Sequence, residues 1–253
     1  MQIATWNVNS LKVRLDIVKS WLIANPVDFL LLQEIKGLDE EIFRQFGNYQ
    51  HYFILQKAYN GVATLSKYKC KIANKIIPDL IDEQSRFLEI IYQDIHLINI
   101  YIPNGNPINT PKYDYKLIWL DKLYSYLEKL VEQEKNFIIA GDFNIAPKDK
   151  DVYSVEAFKN DALIQKAVKD FYFKLINLGL TDVIDFQYPY TKNIFSWWDY
   201  RNSGFARDHG ARIDHILISP YLTTYYKNSY IDKLPRQLEQ PSDHTPVICE
   251  LNL

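Results

Sequence analysis

Two short runs constrain this chain most. Residues 29–32 (FLLL) and 137–140 (FIIA) are apolar without interruption, and each is followed within two positions by a carboxylate, Glu34 and Asp142. A half-buried strand alternates apolar and polar side chains, so an unbroken run this short fits a strand covered on both faces. A fold that covers both faces of its sheets and still releases carboxylates at strand ends has layers outside the sheets and an open edge where polar groups collect.

The rest of the pattern agrees. Strand-like runs are expected over 3–8, 28–33, 61–66, 87–92, 95–102, 136–142, 213–219 and 247–251. Helical spacing separates them. Ser10 is the candidate N-cap of a first helix with Leu11, Leu15, Val18 and Leu22 on one face. Thr110-Pro111 opens a second, with Leu117, Leu120, Tyr124, Leu127 and Val131 together. A third runs from about Asp161 through Ile164, Val168, Phe171, Leu175 and Leu178 to Gly179 as its C′ stop. No internal repeat, low-complexity tract or linker interrupts the series. The expectation is one α/β domain over 1–253, with mixed sheets and helices outside.

Composition excludes several classes. Eight glycines in 253 residues is about 3%, well below the ordinary ~7%, and rules out collagen-like and Gly-rich disordered chains. Cys70 and Cys249 fit no disulfide scaffold or CxxC metal spacing and read as small buried residues of a reducing compartment. MQIATWNVNS lacks a secretory pattern, and no apolar run reaches the ~18 residues of a membrane span. A cytoplasmic location without membrane partners is expected. A net charge of −2 and a pI of about 6.2 do not resemble a strongly basic nucleic-acid binder. Basicity is local, however: five lysines and no acid lie between Lys57 and Lys75, and Lys227, Lys233 and Arg236 face Asp232 alone over 225–236.

Polar residues cluster at the expected strand ends. Asn7 and Asn9 follow the first strand, Glu34 the second, Tyr101 and Asn104 the YIPNG segment, and Asp142 and Asn144 close NFIIAGDFN. Asp214 lies in RIDHIL, and Asp243 with His244 opens the last strand in PSDHTPV. An Asp or Asn beside Gly or Pro is ordinarily a turn residue; a carboxylate at the end of one buried run after another is a different pattern. Carboxylate and amide oxygens without cysteine suit Mg²⁺ or Mn²⁺ rather than structural zinc. No GxxxxGK[ST] loop, GxGxxG or GxSxG elbow is present. What remains is metal-assisted attack of water on a phosphate ester.

In order, WNVNS, LLQE, NGVATLSK, INIYIPNG, KYDYKLIWLD, GDFNIAP, SWWDYR, RIDHIL and PSDHTPV resemble the exonuclease III family of Mg²⁺-dependent AP endonucleases, in the endonuclease/exonuclease/phosphatase superfamily. The resemblance runs from Met1 to Leu253. It implies a four-layer α/β sandwich, two mixed sheets face to face with helices outside. It also implies a monomeric DNA-repair nuclease acting on duplex DNA at abasic sites and blocked 3′ ends.

Residue by residue, Glu34 is similar to the principal metal ligand, with Asn7 beside it. Asp142 resembles the residue that orients or deprotonates the attacking water, and Asn144 shares its pocket. Tyr101 corresponds to a phosphate-proximal tyrosine, His244 to a histidine on the scissile phosphate, and Asp243 to a residue near the metal. The resemblance therefore gathers Asn7, Glu34, Asp142, Asn144, Asp243 and His244 about the cation. Adjacent strand residues point to opposite faces, so Asp243 is poorly placed to orient His244; Asp214 is the matching family position for that task. Trp197 and Ile213 would wall a pocket for a base-less sugar, with Asn104 nearby. Ala211 departs from the larger side chain of some relatives, and Asp185 replaces an expected arginine. Two rival readings stay open: a superfamily phosphodiesterase acting on another phosphate ester, and a catalytically inactive RNA-binding regulator.

Overall fold

A computed structural model describes residues 1–37 and 39–253. Its strands, numbered in chain order, form two six-stranded sheets and a two-stranded ribbon. The first sheet contains β1 (Gln2–Asn7), β2 (Phe29–Gln33), β3 (Gln50–Ile54), β4 (Val62–Ser66), β13 (Tyr226–Ile231) and β14 (Val247–Leu251), in the order β13-β14-β1-β2-β4-β3. The second contains β5 (Lys71–Asn74), β6 (Phe87–Tyr92), β7 (Ile95–Tyr101), β8 (Asn136–Asp142), β9 (Thr181–Asp182) and β12 (Asp214–Ile218), in the order β5-β6-β7-β8-β12-β9. β10 (Trp197–Trp198) and β11 (Gly210–Ala211) make the ribbon. In each sheet one central pair is parallel, β1 with β2 and β7 with β8, and the other pairs are antiparallel. The expected pair of mixed sheets with helices outside is what the chain forms.

Side-chain alternation explains the layers. Ile3, Phe29, Leu31 and Val62 of one sheet meet Leu97, Ile138, Ala140 and Ile216 of the other in the central core. Their sequence neighbours Ala4, Trp6, Leu30 and Leu32 face outward beneath α1 (Leu11–Ala24). On the opposite side, Ile98, Ile100, Phe137 and Ile139 pack under α2 (Pro111–Glu132) and α4 (Lys166–Asn177). Strands covered on both faces can be apolar at every position, as 29–32 and 137–140 are. Two short helices, α3 (Val155–Phe158) and α5 (Val183–Gln187), lie in the connections around α4.

Several local expectations need correcting. Ser10 precedes α1 but makes no side-chain cap bond. The third helix begins at Lys166 rather than near Asp161, because Asp161 caps a separate 3₁₀ turn over Ala162–Ile164. Gly179 does terminate it, at φ 93°. The buried stripe of α2 is rotated toward Trp119, Leu123 and Leu130, with Leu117, Tyr124 and Val131 only partly covered. Cys249 is buried, whereas Cys70 is only half-buried, packed against the margin of the central core with its thiol beside Ser66. Among the described residues no helix is long and apolar enough to cross a membrane.

One glycine brings the two central strands of the second sheet into close contact. Gly141 (φ 153°) lies in β8 with its Cα against β7, and a Cβ there would sit 1.9 Å from the Ile100 carbonyl oxygen. The close approach aligns the last residues of both strands, Tyr101 opposite Asp142.

Candidate active site

The ends of five strands meet in one cleft of about 520 Å³. Register sets the arrangement: Asp142 is paired with Tyr101 on one side and with Asp214 on the other, in antiparallel β12. Asn7 ends β1, and Glu34 follows β2 in a left-handed conformation (φ 51°). Asn144, two residues past β8, is likewise left-handed (φ 50°). Non-glycine residues held there carry about 1–3 kcal/mol of backbone strain and concentrate at functional positions.

The side chains form a chain of polar contacts across the cleft floor. The Asn7 amide nitrogen donates to Glu34 Oε1 and to Asp142 Oδ2, at 2.9 Å each. Its oxygen accepts the Asn9 backbone N–H, so the amide bridges two carboxylates and offers them its donor face. Tyr101 donates its hydroxyl to Glu34 Oε1 at 2.8 Å, and the Lys36 ammonium lies 2.8 Å from Glu34 Oε2. Asp142 Oδ1 accepts the Asn144 backbone N–H; Asn144 Oδ1 accepts from Asn104, and its amide nitrogen donates to the Ile102 carbonyl.

His244 faces two carboxylates. Its Nδ1 is 2.8 Å from Asp214 Oδ2, and its Nε2 is 3.8 Å from Asp142 Oδ2. Ser196 donates to the same Asp214 oxygen. Asp243 points elsewhere: Asn9 and the Trp197 indole N–H donate to its carboxylate. As alternation requires, Asp243 and His244 diverge, and the carboxylate on the imidazole comes from a different strand.

Burial shapes the protonation of this group. Burial alone would lower the His244 pKa, but the Asp214 and Asp142 carboxylates outweigh it and raise it to about 10, so the ring is an imidazolium at neutral pH. Burial pushes Asp142 up to about 7; the His244 charge opposes this and Asp214 adds to it. Burial would also raise Glu34, yet Lys36 and the Asn7 hydrogen bond hold it below the ordinary carboxylate range. Tyr101 is raised well above 10 by burial and by Glu34, and stays a phenol that can donate. Beneath the floor, Lys116 is fully buried and donates to the Asn104 and Asn144 carbonyls; burial lowers its pKa to about 7.

Asp142, Asp214 and His244 offer ligand atoms within 4.8 Å of one another. Asp214 is already engaged by His244 and Ser196, which leaves Asp142 and Glu34, linked through Asn7, as the carboxylates open to a cation. These are hard oxygen donors with no thiolate among them. A tethered cation, the Lys36 ammonium, already sits on Glu34, so positive charge is favoured at this point. The donor set fits a divalent ion of the magnesium or manganese kind.

The expected apolar wall is present beside the acids. Trp197 and Ile213 line the cleft, and Ala211 is packed behind them with Ala146 and Val152. Phe158 and Leu163 belong to the same cluster without having been expected there from the sequence. Tyr153, Arg201, Arg207 and His209, which line the outer part of the cleft, were likewise not expected. The alternating aromatics and cations of 195–209 were the available signal. Asp185 forms ion pairs with Lys148 and Lys150 and does not line the cleft.

Known proteins share this architecture. Residues 4–244 match the endonuclease/exonuclease/phosphatase family. Exodeoxyribonuclease III of Haemophilus influenzae is 32% identical over 266 residues, with 99% of each chain covered. An AP endonuclease from Archaeoglobus fulgidus superposes with a TM-score of 0.93 at 34% identity over the whole of both chains. A Neisseria 3′ phosphatase, solved with a product DNA hairpin, gives 0.93 at 36% identity over the same full span. The chain belongs to the endonuclease/exonuclease/phosphatase family of phosphodiester hydrolases, alongside exodeoxyribonuclease III and the AP endonucleases of DNA repair.

Proposed function

We propose that this chain is a magnesium-dependent DNA-repair nuclease. It hydrolyses the phosphodiester 5′ to an abasic site in duplex DNA, leaving 3′-hydroxyl and 5′-deoxyribose phosphate ends. It also trims 3′ ends and removes 3′ blocks. The observation that carries this reading is the junction of two unlike surfaces in one cleft, an acidic floor suited to phosphate hydrolysis and an apolar wall suited to a base-less sugar. Phosphate chemistry alone needs no apolar wall, whereas an intact nucleotide entering it from a duplex must first lose stacking and pairing, at a cost of a few kcal/mol.

The residues divide the work. Asp142, buried and raised to about 7, holds the attacking water and accepts its proton. The His244 imidazolium, kept charged and oriented by Asp214, donates to a phosphate oxygen as negative charge builds in the transition state. Asn144 and the Tyr101 phenol hold further phosphate oxygens. Glu34 and Asp142, with Asn144 beside them, would hold the divalent ion, which when bound would neutralise phosphate charge. Asn7 orients the two carboxylates through its amide nitrogen. Asp243 is turned to Asn9 and Trp197, and the His244 imidazolium has no lone pair to give the ion. Attack is in line, without a covalent enzyme intermediate.

The proteins compared above act on DNA by their names and give no support to a lipid phosphodiesterase or an RNA-binding regulator. We assign the chain to the cytoplasm as a monomeric single domain acting without a membrane partner. Incubation with labelled duplex carrying one abasic analogue tests the reading: with Mg²⁺ or Mn²⁺ the strand is cut once, immediately 5′ to the analogue, and EDTA abolishes the cut. Full incision in EDTA overturns the metal mechanism; uncut abasic duplex with rapid hydrolysis of a phosphoinositide overturns the substrate.

A further inference from the structure

Beyond the acids the cleft continues along an aromatic wall. Trp197 stands edge-on to Phe158 (6.5 Å between ring centroids), Phe158 edge-on to Tyr153 (5.7 Å), and Tyr153 lies flat on His209 (4.3 Å, interplanar angle 1°). All four rings line the same cavity. Tyr153 is 38% exposed despite its stacked partner. Two arginines flank this arm. Arg201 is held by a bidentate contact to Asp199, whereas Arg207 is exposed and has no ion pair among the described residues. The hydrolytic chemistry uses none of Tyr153, Arg207 or His209.

The cavity runs past the acidic floor and the Trp197 wall out to Tyr153, Arg207 and His209. At about 520 Å³ it lies within the roughly 300–1,000 Å³ typical of sites that enclose a whole small molecule. Aromatic faces with a free cation beside them are the surface that unpaired nucleic-acid bases and their phosphates occupy, because every base has a π-face and stacking tolerates sequence. We infer that Tyr153, His209 and Arg207 form a subsite for an unpaired nucleoside, its base packed against the Tyr153–His209 pair and an adjoining phosphate on Arg207. This rests on the DNA-nuclease reading and refines it: the inner socket takes a sugar without a base, and the outer arm gives a 3′-terminal nucleotide room to keep its base.

Binding and turnover test this separately. In EDTA, 2′-deoxynucleoside 5′-monophosphates are titrated against 2-deoxyribose 5-phosphate by calorimetry, with wild type, Tyr153→Ala and Arg207→Ala. Wild type should favour the nucleotide by about 5- to 150-fold, the worth of one stacked base. Tyr153→Ala should abolish that preference, and Arg207→Ala should weaken both ligands alike. In Mg²⁺, Tyr153→Ala should raise KM for release of intact 3′-terminal nucleotides while leaving abasic incision within about twofold, with Tyr153→Phe restoring the KM. Equal affinity of the two ligands for wild type, or equal loss on intact and abasic ends, overturns the subsite. A base-dependent affinity in a protein that cuts no DNA would instead uphold the subsite and overturn the nuclease reading.

Discussion

Two Asp-His dipeptides lie twenty-nine residues apart, Asp214-His215 and Asp243-His244, and the structure puts them to opposite uses. His215 is fully buried in a closed cage. Its Nε2 is 2.8 Å from the Ile145 carbonyl and therefore carries the proton, and its Nδ1 accepts from Arg212, which is itself held by Asp151 and Asp182. His244 has the other arrangement. Nδ1–H is spent on Asp214, and Nε2 is left facing Asp142 and the cleft. In the first cluster every carboxylate oxygen is answered within the protein, by Arg212, the Tyr172 hydroxyl and the Lys148, Ile184 and Asp185 backbone N–H groups. In the second, Glu34 and Asp142 face the cleft, and that open side is what a substrate or ion can fill. Similar residues at similar burial become scaffold or chemistry according to whether the set is closed.

The contrast can be broken experimentally. The largest effect belongs to the open cluster: Asp142→Asn should lower turnover by about 10²–10⁴, the scale of a positioned base, with duplex affinity within a few-fold. If affinity collapsed along with rate, Asp142 would belong with the closed set. Next comes Arg212→Met, which strands two buried carboxylates. Losing one partner of a buried ion pair costs about 3–5 kcal/mol, or roughly 6–20 °C in Tm for a chain of this size. Activity per folded molecule should hold; a large fall in kcat with unchanged Tm would move Arg212 into the reaction.

A smaller effect tests the Asp214–His244 link itself. Asp214→Asn and His244→Ala should be strongly non-additive, the double variant scarcely worse than the poorer single one, with a coupling of about 0.5–3 kcal/mol. Multiplying defects would show that the two act independently. The mildest contrast is in pH dependence, read as stability in EDTA. His244 is raised above its unfolded value of 6.5 to about 10, so its contribution is full below pH 6.5 and fades as pH climbs through 10. Asp182, held well below 3.8 chiefly by Arg212 against the opposing effect of burial, contributes above 3.8 and loses its contribution in acid. His244→Gln should therefore narrow its stability gap to wild type on the alkaline side, and Asp182→Asn on the acid side; the reverse order would contradict both environments.

Much of the site was legible because strand ends advertise themselves. A buried strand has no use for a carboxylate, so Glu34 and Asp142 stand out at the ends of apolar runs, and alternation alone separated Asp243 from His244. The closed cage was not legible. Arg212, Asp151 and Asp182 are spread over sixty positions, and each reads locally as a solvated charge or a turn residue. Lys116 escaped for the same reason: a lysine on a helix is ordinarily at the surface, and only the Asn104 and Asn144 carbonyls make its burial tolerable. The edge strand β13 lacks an apolar signature: Lys227 is exposed and Asn228 partly so, and Ser229, though buried, answers the Val183 carbonyl. Of the wall residues, Leu163 falls where the spacing imitated the start of a helix, and Tyr153 and Phe158 lie in the connection before it, around the short α3.

Gly141 shows how little freedom the arrangement leaves for change. Every amino acid except glycine brings a Cβ, and at this position a Cβ collides with the backbone of the neighbouring strand rather than with a side chain that could swing aside. Relief would require β7 and β8 to separate where Tyr101 and Asp142 lie side by side. A lineage carrying even alanine at 141 would keep all of its acids, its histidine and its aromatic wall, and would still present them out of alignment. Inherited loss of activity could thus arise at a residue that touches no substrate, and a survey of the reactive side chains alone would pass that lesion by.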